Sequence, residues 1–167
     1  MIRVVGGNSD YERKIRISLG FYPIWLVHAA RLNYIEITSR EDVREQVAMY
    51  EHDSRILYVY SRIGDLLLKA VGHELAHACD DIFGMYHYFS TTTKWQMIHR
   101  NQGFFDIQKY RDEPLEYFAD MMVKYFMLGG QRLFTTNPNE VNFIRNTVLP
   151  TLYKAVLTNQ FDIPETA

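Results

Sequence analysis

The sequence predicts a helix-rich α+β fold, with a small sheet near the N-terminus and a helical lobe after it. Three observations predict this fold class. The apolar–polar alternation that is typical of strands is confined to residues 14–61, later apolar residues recur at helical spacing, and glycine or proline residues bound the later segments. The chain has 167 residues, of which 47% are apolar, so we expect a single domain, residues 1–167, around one core.

Strands are predicted in three segments. NYIEIT, residues 33–38, and RILYVYS, residues 55–61, are rich in β-branched and aromatic residues, and the second is the strongest candidate in the chain. KIRISL, residues 14–19, also alternates and predicts a third short strand. EHDS, residues 51–54, is typical of a turn.

Helical spacing, with capping and breaking residues at the ends, predicts helices over most of the remaining chain. The predicted helices cover residues 23–32, 40–49, 64–83, 113–128, 138–149 and 151–158, and a further one runs from a cap among residues 90–93 to residue 101. Ser39 is the expected cap of the second helix, Gly84 the expected end of the third, and Pro150 the break between the last two.

Charge and composition limit the partners and the location that we expect. The net charge is −2 and no Lys/Arg cluster dominates any segment, so neither nucleic acid nor a membrane is an expected partner. Cys79 is the single cysteine, which excludes a disulfide framework within the chain. The N-terminal residues lack the apolar core of a secretion signal, and the longest apolar run is too short for a bilayer. We therefore expect a cytoplasmic location by default, with non-classical export as the alternative; the oligomeric state stays open.

The segment GHELAH, residues 72–77, carries the strongest chemical signal in the chain. On a helix, His73 and His77 share one face while the apolar residues lie opposite, because residues i and i+4 are neighbours. Two imidazole nitrogens from successive turns can bind one zinc ion at about 2.0–2.1 Å. Glu74 lies a quarter-turn away, where it can contact a water on the metal. This H-E-x-x-H arrangement indicates a zinc site with Glu74 as general base, the alternative being two ordinary surface or core histidines.

A catalytic zinc site also needs a third protein ligand. The longer metzincin pattern with a third histidine is absent. EPLEYFADMMVKYF, residues 113–126, places Glu116 and Asp120 one turn apart on an otherwise mostly apolar helix. Because buried carboxylates need compensation, we expect Glu116 to be the third ligand and Asp120 to accept a hydrogen bond from a ligand histidine. An ion pair with Lys124 is the alternative for these carboxylates.

The segments GHELAHACDDIFGM and EYFAD, together with Tyr110, resemble the catalytic domain of anthrax lethal factor and the related Pro-Pro endopeptidases. These proteins are gluzincin-type zincins with a glutamate as third ligand. The resemblance covers about residues 20–158. It implies a zincin-like metallopeptidase fold with the zinc site in the cleft between the small sheet and the helical lobe. It also implies one zinc ion per chain, held by His73, His77 and Glu116.

The same resemblance implies catalytic roles for individual residues. Glu74 would be the base, and Tyr110 would donate its hydroxyl to the oxyanion, with Tyr117 and Tyr86 as alternatives for that role. Asp120 would orient a ligand histidine, and Asp80 could do the same for its neighbours. These two acids would then form the second layer around the metal ligands.

The sequence therefore predicts a zinc-dependent endopeptidase that acts on a protein or peptide substrate. RILYVY would form the edge strand of the cleft and pair with an extended substrate. A second enzyme class remains open, the cytosolic H-E-x-x-H peptidases of the phage-repressor-cleaving type, which also carry a later glutamate before a Phe-Ala pair. A binding module that keeps the zinc fold without cutting is the third possibility.

Overall fold

A four-stranded sheet lies in the N-terminal part of the chain. The computed structural model describes residues 2–39, 47–60, 66–102, 105 and 107–159, and within them the fold is α+β with helices predominating. The strands are β1 (Val4–Val5), β2 (Tyr34–Thr38), β3 (Ala48–Glu51) and β4 (Ile56–Tyr60). Their order across the sheet is β1-β2-β4-β3, with β1, β2 and β4 parallel and β3 antiparallel to β4.

Helices make up most of the remaining described chain. They are α1 (Ser9–Leu19), α2 (Ile24–Ala29), α3 (Leu67–Asp80), α4 (Thr93–Arg100), α5 (Gln108–Asp112), α6 (Pro114–Leu128), α7 (Gly130–Phe134), α8 (Pro138–Phe143) and α9 (Leu149–Thr158). A π-helical turn, Ile144–Val148, joins α8 to α9. In the described part of the chain, none of these helices combines the length and the apolarity needed to cross a bilayer.

The position of β4 differs from the prediction in one respect that matters for the site. The strand itself is confirmed, but it lies between β2 and β3, so it is an interior strand and not the edge of a cleft. Its residues are buried on both faces, as is typical of a central strand. Next to β4, the edge strand among the described residues is β3, which begins in the segment predicted as the helix 40–49 and extends to Glu51; residues 40–46 lie outside the described residues. The segment AMYE has no strong strand signal, and pairing with β4 overrides its local preference.

The segment 14–19 was also predicted wrongly, because it belongs to helix α1. Asn8 caps this helix by accepting hydrogen bonds from the backbone of Asp10 and Tyr11, at 3.1 and 3.2 Å. The side chains of Glu12 and Arg16 pair one turn apart on its surface. Capping and surface pairs therefore outweigh the accidental alternation of KIRISL.

The helix ends agree broadly with the sequence signals. Helix α3 ends at Asp80, earlier than the predicted residue 83, and Gly84 follows with the positive φ of 68° expected of a chain reversal. Helix α4 begins after Thr92, whose hydroxyl accepts from the backbone N–H of Trp95. Pro150 does not separate two helices, because it occupies the first turn of α9 directly after the π-helical turn.

Helix α3 is the central element of the fold, and Gly72 allows its closest contact. The helix packs against α1, α6 and the sheet. A Cβ atom at Gly72 would overlap the hydroxyl of Tyr22 and would lie 2.9 Å from its Cζ atom. Glycine is therefore required at this position for the Tyr22 ring to lie against the helix, immediately before the paired histidines.

We expect Gly72→Ala to destabilise the protein. Overpacking costs about 1–3 kcal/mol, which exceeds the roughly 1 kcal/mol that alanine gains over glycine in a helix. The free energy of unfolding from urea denaturation would measure this loss. Adding Tyr22→Phe, which removes the overlapping hydroxyl, should restore part of it; a Gly72→Ala variant as stable as the wild type would contradict the packing described.

Candidate metal centre

Three side chains from helices α3 and α6 converge on one point. The Nε2 atoms of His73 and His77 are 3.1 Å apart. The carboxylate of Glu116 lies 3.2 Å from His73 Nε2 through Oε2 and 3.4 Å from His77 Nε2 through Oε1. Each of the three residues offers one ligand atom, and these three atoms all lie within 4.8 Å of one another. Among the described residues, this is the group of side chains that could hold a metal ion.

The geometry of this group fits a tetrahedral metal ion. Ligands at about 2.0–2.1 Å from a tetrahedral centre are separated from one another by about 3.3 Å. The two nitrogens are 3.1 Å apart, and the two carboxylate oxygens of Glu116 lie 3.2 Å from one nitrogen and 3.4 Å from the other, close to this value. Two imidazoles and one carboxylate are also a donor set that leaves a fourth position open. The sequence prediction that these three residues come together is therefore confirmed as a group that can bind a metal ion.

Local sequence explains how each ligand reaches this point. The spacing of four residues brings both histidines to one face of α3, whose opposite face is buried in the core. Pro114 starts α6, so Glu116 stands in the first turn of that helix, where a carboxylate is favoured by the helix dipole. Contact between α3 and α6 then joins the two halves of the site.

The charges at the site perturb its two glutamates in opposite directions. Burial acts to raise the pKa of Glu116, but hydrogen bonds from His73 and His77 outweigh it and hold the pKa below its ordinary range. Burial raises the pKa of Glu74 to about 7, against the smaller opposing effects of His77 and of a hydrogen bond from the Tyr50 backbone. That bond joins Tyr50 N–H to Glu74 Oε2 at 2.8 Å.

A cavity of about 320 Å³ opens beside the ligand group. Its lining includes Ala48, Met49 and Tyr50 from β3, Glu74 and His77 from α3, and Glu116 from α6. Strand β3, two of the possible metal ligands (His77 and Glu116) and Glu74 therefore face the same space. An extended ligand lying along β3 would pass next to Glu74.

The cavity receives Lys109 where the sequence predicted Tyr110. Neighbouring residues on a helix point about 100° apart, so α5 turns these two side chains in different directions. Lys109 lines the cavity, and its Nζ atom lies 3.1 Å from Glu116 Oε2 and 3.7 Å from Glu113 Oε2. Tyr110 is 6% exposed, belongs to the core and packs its ring near that of Tyr117. Its proposed role at the oxyanion stays a prediction.

The two alternative tyrosines also lie in different environments. Tyr117 is buried, and its hydroxyl donates to Glu140 Oε1 at 2.9 Å. Tyr86 lines the cavity, with its ring stacked on that of His52 at a centroid distance of 3.7 Å. Of the two, Tyr86 is therefore the one that a ligand in the cavity would meet.

Asp120 is held by lysines and not by a ligand histidine, which corrects the expectation from the sequence. It is fully buried, and its two oxygens lie 2.8 Å from Lys69 Nζ on α3 and 2.8 Å from Lys124 Nζ on α6. The lysine pair, left open as an alternative, thus accounts for this acid. Lys69 and Asp120 join the same two helices as His73 and Glu116, one turn before His73 on α3 and one turn after Glu116 on α6.

Asp80 fixes a loop, and its contacts do not include a ligand histidine. Its Oδ1 atom accepts hydrogen bonds from the backbone N–H groups of Phe89 and Ser90. Its Oδ2 atom accepts from the Ser90 hydroxyl and lies 3.7 Å from Nδ1 of His87, which lines the cavity. Asp80 therefore acts on the cavity through the loop that carries His87, in place of the role expected from the sequence.

Sequence reasoning missed Asp81, the fully buried acid that anchors β3. Its Oδ2 atom accepts from the Tyr50 hydroxyl at 2.6 Å, from His52 Nδ1 at 2.6 Å and from Arg55 Nη1 at 3.1 Å. Together with the bond from Tyr50 N–H to Glu74, this ties the edge strand to α3 at two points. The only signal in the sequence was a second acid, next to Asp80, at the end of an apolar helix. Its partners Tyr50, His52 and Arg55 lie 26–31 residues earlier in the chain, so no local pattern identifies them.

Comparison of the chain with models of known protein families gives no match, and comparison with curated proteins gives no match either. The function is therefore inferred from the geometry and chemistry of this cavity.

Removing the carboxylate of Glu116 should abolish metal binding. Glu116→Ala leaves two imidazoles, which are too few for a stable zinc site, so we expect less than one tenth of the wild-type metal content after dialysis. Elemental analysis of the purified protein measures it. Glu113→Ala, which removes a more exposed carboxylate three residues earlier, is the matched control; full occupancy in Glu116→Ala would place the third ligand elsewhere.

The Lys69–Asp120–Lys124 group should contribute to stability in a pH-dependent manner. Burial acts to raise the pKa of Asp120, but the two lysines lower it by more, so the folded-state pKa lies below the ordinary value. Its stabilising contribution is then complete above about pH 4 and is lost as the pH falls through the folded-state pKa. We expect the urea midpoint of Asp120→Asn to lie below that of the wild type at pH 6 and the difference to shrink toward pH 2.5. A difference independent of pH would contradict this.

Proposed function

We propose that the protein is a zinc-dependent endopeptidase of the lethal-factor and Pro-Pro endopeptidase type. The observation that carries the proposal is the convergence of His73, His77 and Glu116 beside Glu74 in a cavity that is bounded by a free strand edge. Among divalent ions, zinc is favoured because two imidazoles and one carboxylate in tetrahedral arrangement are its usual ligands at catalytic sites.

The reaction adds one water to a peptide carbonyl carbon and breaks the C–N bond. His73, His77 and Glu116 would hold a zinc ion, which when bound would supply Lewis acidity to the carbonyl and lower the pKa of water. Glu74 accepts the proton of the attacking water and passes it to the departing amine, so the carboxyl group ends in its starting state. Burial raises the pKa of Glu74 above its ordinary value, which favours a group that must both accept and donate a proton near neutral pH.

The register of β3 supports an extended peptide as the substrate. Tyr60 N–H donates to the carbonyl of Val47, and Ala48 pairs with Val59 in the next register position. Opposite residues in an antiparallel ladder alternate between hydrogen-bonded and non-hydrogen-bonded pairs. Because Val47 and Tyr60 form a hydrogen-bonded pair, Ala48 and Tyr50 belong to non-hydrogen-bonded pairs, and their backbone N–H and C=O groups point away from β4. Tyr50 N–H meets Glu74, which leaves Ala48 N–H, Ala48 C=O and Tyr50 C=O as edge groups that point toward a peptide.

This arrangement favours cleavage beside Tyr50. A peptide paired with the free edge of β3 adds a fifth strand, and main-chain hydrogen bonds give it affinity without requiring a particular sequence. Since Glu74 is hydrogen-bonded to the same strand, the bond nearest Tyr50 is brought next to the base. The edge strand expected at RILYVY is therefore assigned to β3.

Glu74→Gln tests the proposal most simply. The amide keeps the size of the side chain but cannot accept the water proton, so we expect zinc content near that of the wild type and at least a 10³-fold loss of turnover. A mixed peptide library analysed by mass spectrometry, with and without a chelator, gives both the activity and the cleavage sites. Glu51→Gln, on the same strand edge but outside the cavity lining, is the control.

The library also separates the enzyme from a module that only binds. A wild-type protein that contains zinc but leaves every peptide intact would refute the peptidase. Cleavage that survives complete removal of the metal would refute the zinc mechanism. Proline on both sides of the cut would assign the Pro-Pro branch.

A further inference from the structure

A peptidase of this kind needs a hydrogen-bond donor for the charge that develops on the carbonyl oxygen of the substrate. The donor must face the same space as the ligands and Glu74. The resemblance assigns this role to Tyr110, but its side chain is buried in the core and is not part of the cavity lining in the described residues. A donor that already faces the cavity is the stronger candidate.

Besides the ligands and Lys109, four side chains with N–H or O–H groups line the cavity, and each is already held by another residue. Tyr50 gives its hydroxyl to Asp81 at 2.6 Å. Tyr86 is 59% exposed and stacks on His52, away from the contacts of the ligand group. His52 is bound to the same Asp81 oxygen at 2.6 Å, and His87 lies beside Asp80. Each of these groups has its position set by a partner outside the ligand group.

Lys109 is different because it contacts the ligand group directly. Its Nζ atom is 3.1 Å from Glu116 Oε2, which is itself 3.2 Å from His73 Nε2. An ammonium group carries three donors, and the two nearby carboxylates, of Glu116 and Glu113, engage at most two of them in this arrangement. The third can be given to a substrate oxygen. A hydrogen bond from a charged donor is about twice as strong as one between neutral groups.

We propose that Lys109 is the catalytic residue that stabilises the oxyanion, in place of the neighbouring Tyr110. The assignment rests on the proposed peptidase function and names a further residue of that same site. The geometry of helix α5 also explains why the lysine, and not the expected tyrosine, takes this role. On helix α5 the two residues point about 100° apart, and the one that faces the cavity is the lysine.

The assignment is tested with a peptide that the wild-type protein cleaves. Lys109→Met retains most of the length of the side chain and removes its charge and donors. We expect kcat to fall about 10²-fold, as is typical for the loss of one oxyanion donor, with KM changed less than threefold. Zinc content should stay at the wild-type level. Lys109→Arg should recover part of the loss, and Lys154→Met, at an exposed site on α9, should match the wild type.

A second measurement separates a role in the reaction from a structural one. A phosphinic analogue of the cleaved peptide mimics the tetrahedral oxygen, so its affinity for Lys109→Met should fall in proportion to kcat/KM. Loss of zinc in Lys109→Met would show that the lysine holds Glu116 instead and would overturn the proposal. A normal kcat in Lys109→Met combined with a 10²-fold loss in Tyr110→Phe would overturn it as well. If the wild-type protein cleaves no peptide, the peptidase itself is refuted and this assignment with it.

Discussion

The close approach of two imidazole nitrogens and one carboxylate is the constraint on which the site depends. The two histidine nitrogens lie 3.1 Å apart, and the two oxygens of the Glu116 carboxylate lie 3.2 and 3.4 Å from them, in a partly buried position where positive charge stabilises the carboxylate. Lys109 provides one such charge, and a divalent cation bound between the three side chains would provide another, with ligand separations close to those observed.

The rest of the structure holds the two ligand-bearing helices in place. Lys69 on α3, whose side chain is 44% exposed, pairs with the buried Asp120 on α6, one turn before His73 and one turn after Glu116, so the same helix pair is joined twice. On the other side, Asp81 and Glu74 bind the edge strand β3 to α3. The cavity is therefore bounded by elements whose relative positions are set by buried polar contacts, as a site that must hold its groups within a fraction of an ångström requires.

Local signals predicted the parts of the structure that depend on neighbouring residues. The strand at 56–60, helix α3 with both histidines on one face, and Glu116 on a second helix all follow from periodicity over a few turns. The features that were predicted wrongly depend on contacts between residues far apart in the chain. Strand β3 exists because β4 is available to pair with it. Asp120 pairs with Lys124, which the spacing of four residues indicated, and also with Lys69, which lies 51 residues away on α3 and which no pattern along the chain connects to it. Tyr110 shows the same limit on a smaller scale, because a one-residue shift on a short helix decides which side chain reaches a cavity.

Anomalous X-ray diffraction at the zinc absorption edge, from crystals of the protein purified with zinc, tests the central claim most directly. The account predicts one strong peak per chain, about 2.0–2.2 Å from His73 Nε2, His77 Nε2 and a carboxylate oxygen of Glu116. Ordered side chains at these three positions with no peak between them, or a peak whose ligands are other residues, would contradict it.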